Sequence, residues 1–413
     1  MSGLALTGGD PVRKKAYPKW PVWGAEERNN LLEVLESGRW GSLNGHFAKD
    51  FAVRFAQAQD ARFGVGVTNG TIALQVAVEA VGVKPGDEVI VPPYTFIATA
   101  SAVLSAGGVP VFADITPDTF CLDPEAVKQA ITPRTKAVIP VHLGGHPADM
   151  DAFREIGRQY GLRVIEDAAH AHGSEWRGKK VGALGDMGCF SFQWSKNMTG
   201  GEGGAVLTNN EELYARAWSI MNVGRRPEGE WYEHVILGGN HRMNEFAAAV
   251  LCAQLGRLEA QTEHRARMAA YLDKQLSAIE GIEPQARDSR VTRQGFHLYV
   301  FRYKPEAFGG VPRNLFIKAM LAEGIPVTPG YSLLNKQEVF SVVQRERTYG
   351  FAAYPGTIDY MGSHLPVAQK LADEEGCWMP QNVLLGNEED MEDIVRAVRK
   401  IKEHLSELKA LAS

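Results

Sequence analysis

Lys196 stands in Gly188-Cys-Phe-Ser-Phe-Gln-Trp-Ser-Lys196-Asn-Met-Thr-Gly-Gly-Glu-Gly-Gly204, between an apolar strand-like run and a glycine-rich turn. An ammonium among apolar neighbours loses hydration, so its pKa falls, and the neutral amine can attack a carbonyl to form a Schiff base. The same surroundings also suit a lysine that lays its stem on aromatic surface and keeps its head in water. Upstream, Arg163-Val-Ile-Glu-Asp167-Ala-Ala-His170-Ala-His172-Gly173 delivers two acids and two histidines from an apolar strand. Asp167 then emerges at the carboxyl end of that strand, the edge at which parallel α/β sheets bind ligands. A carboxylate there can hold a proton on a pyridine-type nitrogen, or it can cap the following helix. A third segment, Gly64-Val-Gly-Val-Thr68-Asn69-Gly70-Thr71, reads as a tight polar turn opening an alanine-rich helix. Free N–H groups at Gly70 and Thr71 would make an anion site, and a plain Asn-Gly cap fits the same residues.

A phosphate site, a carboxylate for a pyridinium and a Schiff-base lysine are what one cofactor, pyridoxal 5′-phosphate, needs together. Further ordered segments accompany them: Ser37-Gly-Arg-Trp-Gly41, Asn69-Gly-Thr71-Ile-Ala-Leu74, Pro92-Pro-Tyr-Thr-Phe96-Ile-Ala-Thr99, Pro140-Val-His142-Leu-Gly-Gly and Gly239-Asn-His-Arg-Met243. With Glu166 to Gly173, Ser191 to Lys196 and Gly201 to Gly204, they make the chain resemble the DegT/DnrJ/StrS aminotransferases over nearly its whole length. That family comprises pyridoxal-phosphate enzymes of fold type I that aminate keto-sugars and keto-cyclitols.

The resemblance implies that Lys196 carries the cofactor covalently and moves protons, while Asp167 keeps the ring nitrogen protonated. It implies that Phe96 stacks on the ring, that His170 sits beside the phenolic oxygen, and that Gly70, Thr71 and Ser191 hold the phosphate. Asn240 is implied to reach the phosphate of the neighbouring subunit, which makes the protein a homodimer with shared active sites. His172, Arg242 and Tyr331 match substrate-facing positions. Around Tyr331 the chain departs from the family, reading Gly330-Tyr-Ser-Leu-Leu-Asn335 where a shorter motif with proline and histidine is usual. The implied reaction moves an amino group from glutamate or glutamine to a keto-sugar or keto-cyclitol, as in aminocyclitol and antibiotic biosynthesis. Its rivals are a dehydrating, aromatising lyase of the aminohydroxybenzoate-synthase type and a non-catalytic sugar-binding regulator. Sugar deoxygenases of the family replace the lysine by histidine, so Lys196 argues against that branch.

The elements that must position these residues are legible as alternation. Apolar β-rich runs at Glu88 to Val91, Val109 to Phe112, Ala137 to Val141, Arg163 to Glu166, Gly188 to Phe192 and Ala205 to Thr208 are separated by helical stretches. The expected architecture is α/β: a large cofactor-binding domain over residues 1–265 with a mostly parallel mixed sheet wrapped by helices, and a smaller α/β domain over 266–413. A long apolar helix begins near Glu245, strand resumes from His297 to Tyr303, and Asn387-Glu-Glu-Asp390 caps a final helix through Leu408.

Bulk properties narrow the function classes. The 413 residues suffice for two cores, and 44 basic against 49 acidic residues leave no electrostatic footprint for nucleic acid. Cys121, Cys189, Cys252 and Cys377 are too dispersed for a metal motif and read as reduced thiols. The opening residues Met1 to Gly9 contain no basic leader or secretory core, and no stretch is suited to spanning a bilayer, so the cytoplasm is the expected compartment. Gly200-Gly-Glu-Gly-Gly204 lacks the Lys-Ser/Thr ending of a phosphate loop. His142 and His146 have no ligand set around them, so no metal is expected. Arg225 and Arg226 read as solvated loop residues.

Overall fold

The computed structural model describes residues 3–412; Met1, Ser2 and Ser413 lie outside it. One sheet holds seven strands in the order Phe63–Val67, Gly204–Thr208, Met187–Ser191, Arg163–Asp167, Thr135–Val138, Glu88–Val91 and Val109–Phe112. Gly204–Thr208 pairs antiparallel with both of its neighbours and the remaining pairings are parallel, so six strands point one way. Val89, Ile90, Val91, Ala137, Val138 and Ile165 are fully buried. Such runs suit parallel strands covered on both faces by helices. The expected strands at Glu88–Val91 and Val109–Phe112 match residue for residue, and the ends of the others shift by at most three positions.

Phe63–Val67 is a strand where a polar turn was expected. Gly64 is a packing residue: a Cβ there would lie 2.5 Å from the Ala52 carbonyl oxygen of the covering helix Phe47–Ala58. The turn proper starts at Thr68, and Asn69 caps the helix Gly70–Ala80 by accepting from Ile72 N at 2.9 Å.

A second core is built on the antiparallel sheet Ile282–Pro284, Leu298–Tyr303 and Gly376–Pro380, and includes Leu272, Phe316, Met379 and Ile394. The two cores do not divide at one point in the chain. The helix Glu245–Leu276 runs unbroken through residue 265. Leu4 belongs to the second core, where Arg13 pairs with Asp390 and Asp393 at 2.8 Å each. Conversely, Leu333, Phe340, Phe351 and Tyr360 pack into the first core, and Tyr360 Oη donates to Pro110 O at 2.6 Å. The last helix breaks at His404 into Glu388–Glu403 and Leu405–Ala412. All four cysteines are buried and unpaired, and no helix among the described residues is long and apolar enough to cross a membrane.

Candidate active site

At the carboxyl edge of the parallel strands lies a cavity of about 830 Å³, the position such sheets reserve for ligands. Asn69, Gly70 and Thr71 follow the first strand, Phe96 follows Glu88–Val91, Asp167 ends its strand, Ser191 ends the next, and Lys196 stands on the turn beyond. The sheet therefore gathers residues up to 127 positions apart in number on one wall.

Lys196 is held by its turn: its N–H donates to Gln193 O at 2.9 Å, and Gln193 Oε1 accepts from Ser195 N and Oγ at 2.9 and 2.7 Å. Burial lowers the Lys196 ammonium to about 8, with the Asp167 carboxylate opposing the fall. Asp167 is 5% exposed, and burial pushes its carboxyl above the usual range. Two donors oppose that rise, Thr99 Oγ1 to Oδ2 at 2.8 Å and Ala169 N to Oδ1 at 3.2 Å. An amine near neutrality and a buried carboxylate thus share one pocket, the pairing of perturbed groups expected at a reacting site.

The anion end is the start of Gly70–Ala80, where the first backbone N–H groups lack intrahelical acceptors. A Cβ on Gly70 would come 2.6 Å from Ser191 Cβ, so only glycine lets the helix start meet that strand end. Phe96, 55% exposed, presents its ring to the cavity between these ends. His170 Nδ1 accepts from Gly144 N at 3.3 Å, and burial holds its pKa well below the ordinary value. The neutral ring therefore carries its proton on Nε2, which lies 3.5 Å from Tyr331 Oη. Tyr331 in turn stands edge-on to Trp378, ring centres 4.8 Å apart.

Three expected residues sit elsewhere. His172 does not line the cavity: it is fully buried against Phe190 and Phe192, ring centres 5.5 Å from each. This corrects its expected substrate-facing placement within the chain. Asn240 is exposed and pairs by backbone with Asn222, outside the cavity of its own chain. Arg242 Nη1 donates to Asn222 Oδ1 at 2.9 Å and is likewise outside it. Of the histidines weighed for metal, His142 Nε2 meets Glu166 Oε2 at 3.0 Å and His146 is buried. The sequence reading overlooked Thr99, Glu202 and His297. Thr99 was visible only as the end of the Pro92 to Thr99 segment and His297 only as a strand start, with nothing local to aim them at Asp167 or the cavity.

An N–H-rich helix start with a serine hydroxyl, a buried carboxylate, an aromatic face and an amine poised near 8 fit pyridoxal 5′-phosphate at its phosphate, ring nitrogen, ring face and aldehyde. Comparisons with known proteins agree. The profile of the DegT/DnrJ/EryC1/StrS aminotransferase family matches residues 21–399. A Micromonospora echinospora protein assigned as an L-glutamine:3-amino-2,3-dideoxy-scyllo-inosose aminotransferase is 40% identical over 411 residues, 98% of either chain. The L-glutamine:2-deoxy-scyllo-inosose aminotransferase of Streptoalloteichus tenebrarius is 39% identical, covering 98% of this chain and 99% of its own. The crystal structure of 3-amino-5-hydroxybenzoic acid synthase superposes with a TM-score of 0.84 at 37% identity, covering 93% of this chain and 99% of that one. The chain belongs to the DegT/DnrJ/EryC1/StrS family and is a pyridoxal-phosphate-dependent aminotransferase of fold type I.

Proposed function

We propose that this aminotransferase takes the amino group of glutamine, or of glutamate, and gives it to a keto-cyclitol, working in the cytoplasm as a homodimer with shared active sites. The observation that carries the chemistry is Lys196 and Asp167 in one cavity, the amine lowered to about 8. The cyclitol acceptor and glutamine donor are supported by the names of full-length relatives near 40% identity.

Bound pyridoxal phosphate supplies an electron-withdrawing ring that acidifies the Cα proton of an attached amine. Asp167 holds a proton at the ring nitrogen, and Thr99 keeps that carboxylate ionised and aimed. Lys196, with a pKa close to working pH, would take the proton from the amine-bearing carbon of the substrate and hold it on its own nitrogen. His170 donates through Nε2 to the ring's oxygen substituent. Gly70, Thr71 and Ser191 fix the phosphate, and Phe96 covers one ring face and keeps water from it.

The dimer reading rests on exposed apolar groups. Trp231, Tyr232 and Leu237 are 72, 76 and 94% exposed on the segment that leads to Asn240. A groove of about 770 Å³ lined by Trp23, Leu32, Leu35, Trp194 and Phe246 lies on the same chain. Patches of this kind mark association surfaces.

The test loads the protein with pyridoxamine phosphate and offers free keto-inositols, nucleotide-linked keto-sugars and simple keto acids. Stoichiometric return of aldehyde absorbance with a keto-inositol, and a product mass gaining the amine, is expected. Return only with nucleotide-linked sugars would overturn the cyclitol acceptor. The likeness to 3-amino-5-hydroxybenzoic acid synthase favours a second reading, aromatisation, for which the product would lose water instead.

A further inference from the structure

The turn Gln294 to His297 is pinned from several sides. Asn197 Nδ2, next to Lys196 in sequence, donates to Gly295 O at 2.6 Å. Gly295 N donates to Ser174 Oγ at 2.9 Å, and Ser174 Oγ donates to Gly145 O at 2.7 Å. Phe296 takes φ +53°, a region bulky residues rarely occupy. Gly145, at φ +94°, has no room for a side chain: a Cβ would lie 2.7 Å from Phe296 N and 3.2 Å from His297 N. Strain of this kind persists only where the surroundings over-determine it, and it collects at binding and reacting sites.

What the turn delivers to the cavity is one imidazole. His297 is 6% exposed, lines the cavity, and has its ring centre 4.4 Å from that of His170. Its Nδ1 is buried without a partner, which leaves Nε2 as the nitrogen facing the cavity. Burial, reinforced by the charge of Lys196, keeps the ring neutral. A buried N–H without an acceptor is rarer than a buried acceptor without a donor, so the single proton belongs on Nε2. The cavity thus has a pre-aimed, uncharged donor for which the described residues supply no acceptor. An uncharged donor matches a hydroxyl; the carboxylate of an amino-acid donor calls for a cation.

We propose that His297 Nε2–H donates to a ring hydroxyl oxygen of the polyol acceptor and is a specificity residue for polyhydroxylated ketones. The inference rests on the polyol-acceptor reading above. A site built to hydrogen-bond a hydroxyl discriminates strongly against ligands without it, because its own polar group is left unpaired.

The experiment measures the two half-reactions separately by stopped flow in the holoenzyme, for wild type, His297→Phe and His297→Gln. His297→Phe keeps a ring and removes the donor; His297→Gln restores an N–H at a similar reach. The expected result is a fall of about tenfold or more in the ratio of acceptor to donor kcat/KM for the phenylalanine variant, partly restored by glutamine. An unchanged ratio, an equal loss in both half-reactions, or glutamine no better than phenylalanine would overturn the role. If His297→Phe fails to take up cofactor, His297→Leu replaces it. A wild type that aminates no polyol ketone overturns the polyol reading itself. A wild type that does, with the ratio unmoved by the variants, overturns only the role of His297.

Discussion

Thr99 Oγ1 donates to Asp167 Oδ2 at 2.8 Å, and Thr95 Oγ1 lies 3.1 Å from Thr99 Oγ1, so a short hydroxyl chain ends on the buried carboxylate. Burial raises the Asp167 pKa, and this bond is the largest influence holding it down. Hydrogen bonds to charged groups contribute about 1.5 to 3 kcal/mol, or roughly one to two pKa units.

Thr99→Val should therefore raise the Asp167 pKa further. Because the reaction needs the carboxylate ionised, the acid limb of kcat/KM should move up by about one pH unit, with the alkaline limb unmoved. A pH–rate profile checks this. Superimposable profiles would detach Thr99 from the carboxylate's ionisation.

Gly70→Ala should weaken cofactor binding, because the new Cβ would sit 2.6 Å from Ser191 Cβ and push the helix start from the strand end. Overpacking of this kind typically costs about 1 to 3 kcal/mol, roughly 5- to 150-fold in affinity if it falls on the phosphate site. Titrating apoprotein with pyridoxal phosphate measures it. Unaltered affinity in a well-folded variant would move the phosphate site elsewhere.

Much of this site was legible, and its gaps have physical causes. Asp167 and Ser191 end apolar strands and Lys196 stands on the turn just beyond Ser191, so strand alternation carried them to one edge, whereas Gly70 was legible only as the start of a helix. His170 and His172 are two positions apart in one turn, and only packing decides that one meets the cavity while the other enters a phenylalanine cluster. Gly64 looks like a turn residue in sequence, yet serves a strand pressed against a helix. The return of Gly3 to Tyr17 onto the second core depends on Arg13 meeting Asp390 and Asp393, a pairing across more than 370 positions with no local signal.

Acid should destabilise the apoprotein through its buried neutral histidines. His146 has both ring nitrogens buried without partners, and burial lowers its pKa to about 4 from 6.5. The unfolded chain takes up that proton first, so stability present above about 6.5 is lost as pH falls toward about 4, up to about 3 kcal/mol from this residue. His146→Phe should flatten the fall in melting temperature between pH 6.5 and 4. An equally steep fall would assign the acid loss to other groups.

Asn240 is expected to serve the phosphate of the partner's site. Mixing Lys196→Ala chains with Asn240→Asp chains, whose added carboxylate would repel the phosphate, should restore activity on subunit exchange. One of the two sites in the mixed dimer then carries neither lesion. Demonstrated heterodimers without recovery would place Asn240 in its own subunit's site or outside any site.

The most direct test of the central claim is borohydride reduction of the holoenzyme followed by peptide mass mapping. The geometry predicts a reduced pyridoxyl adduct on the peptide containing Lys196, and none on any lysine of the Lys196→Ala variant. An adduct on another lysine, or a wild type that binds the cofactor without fixing it, would contradict the assignment of Lys196.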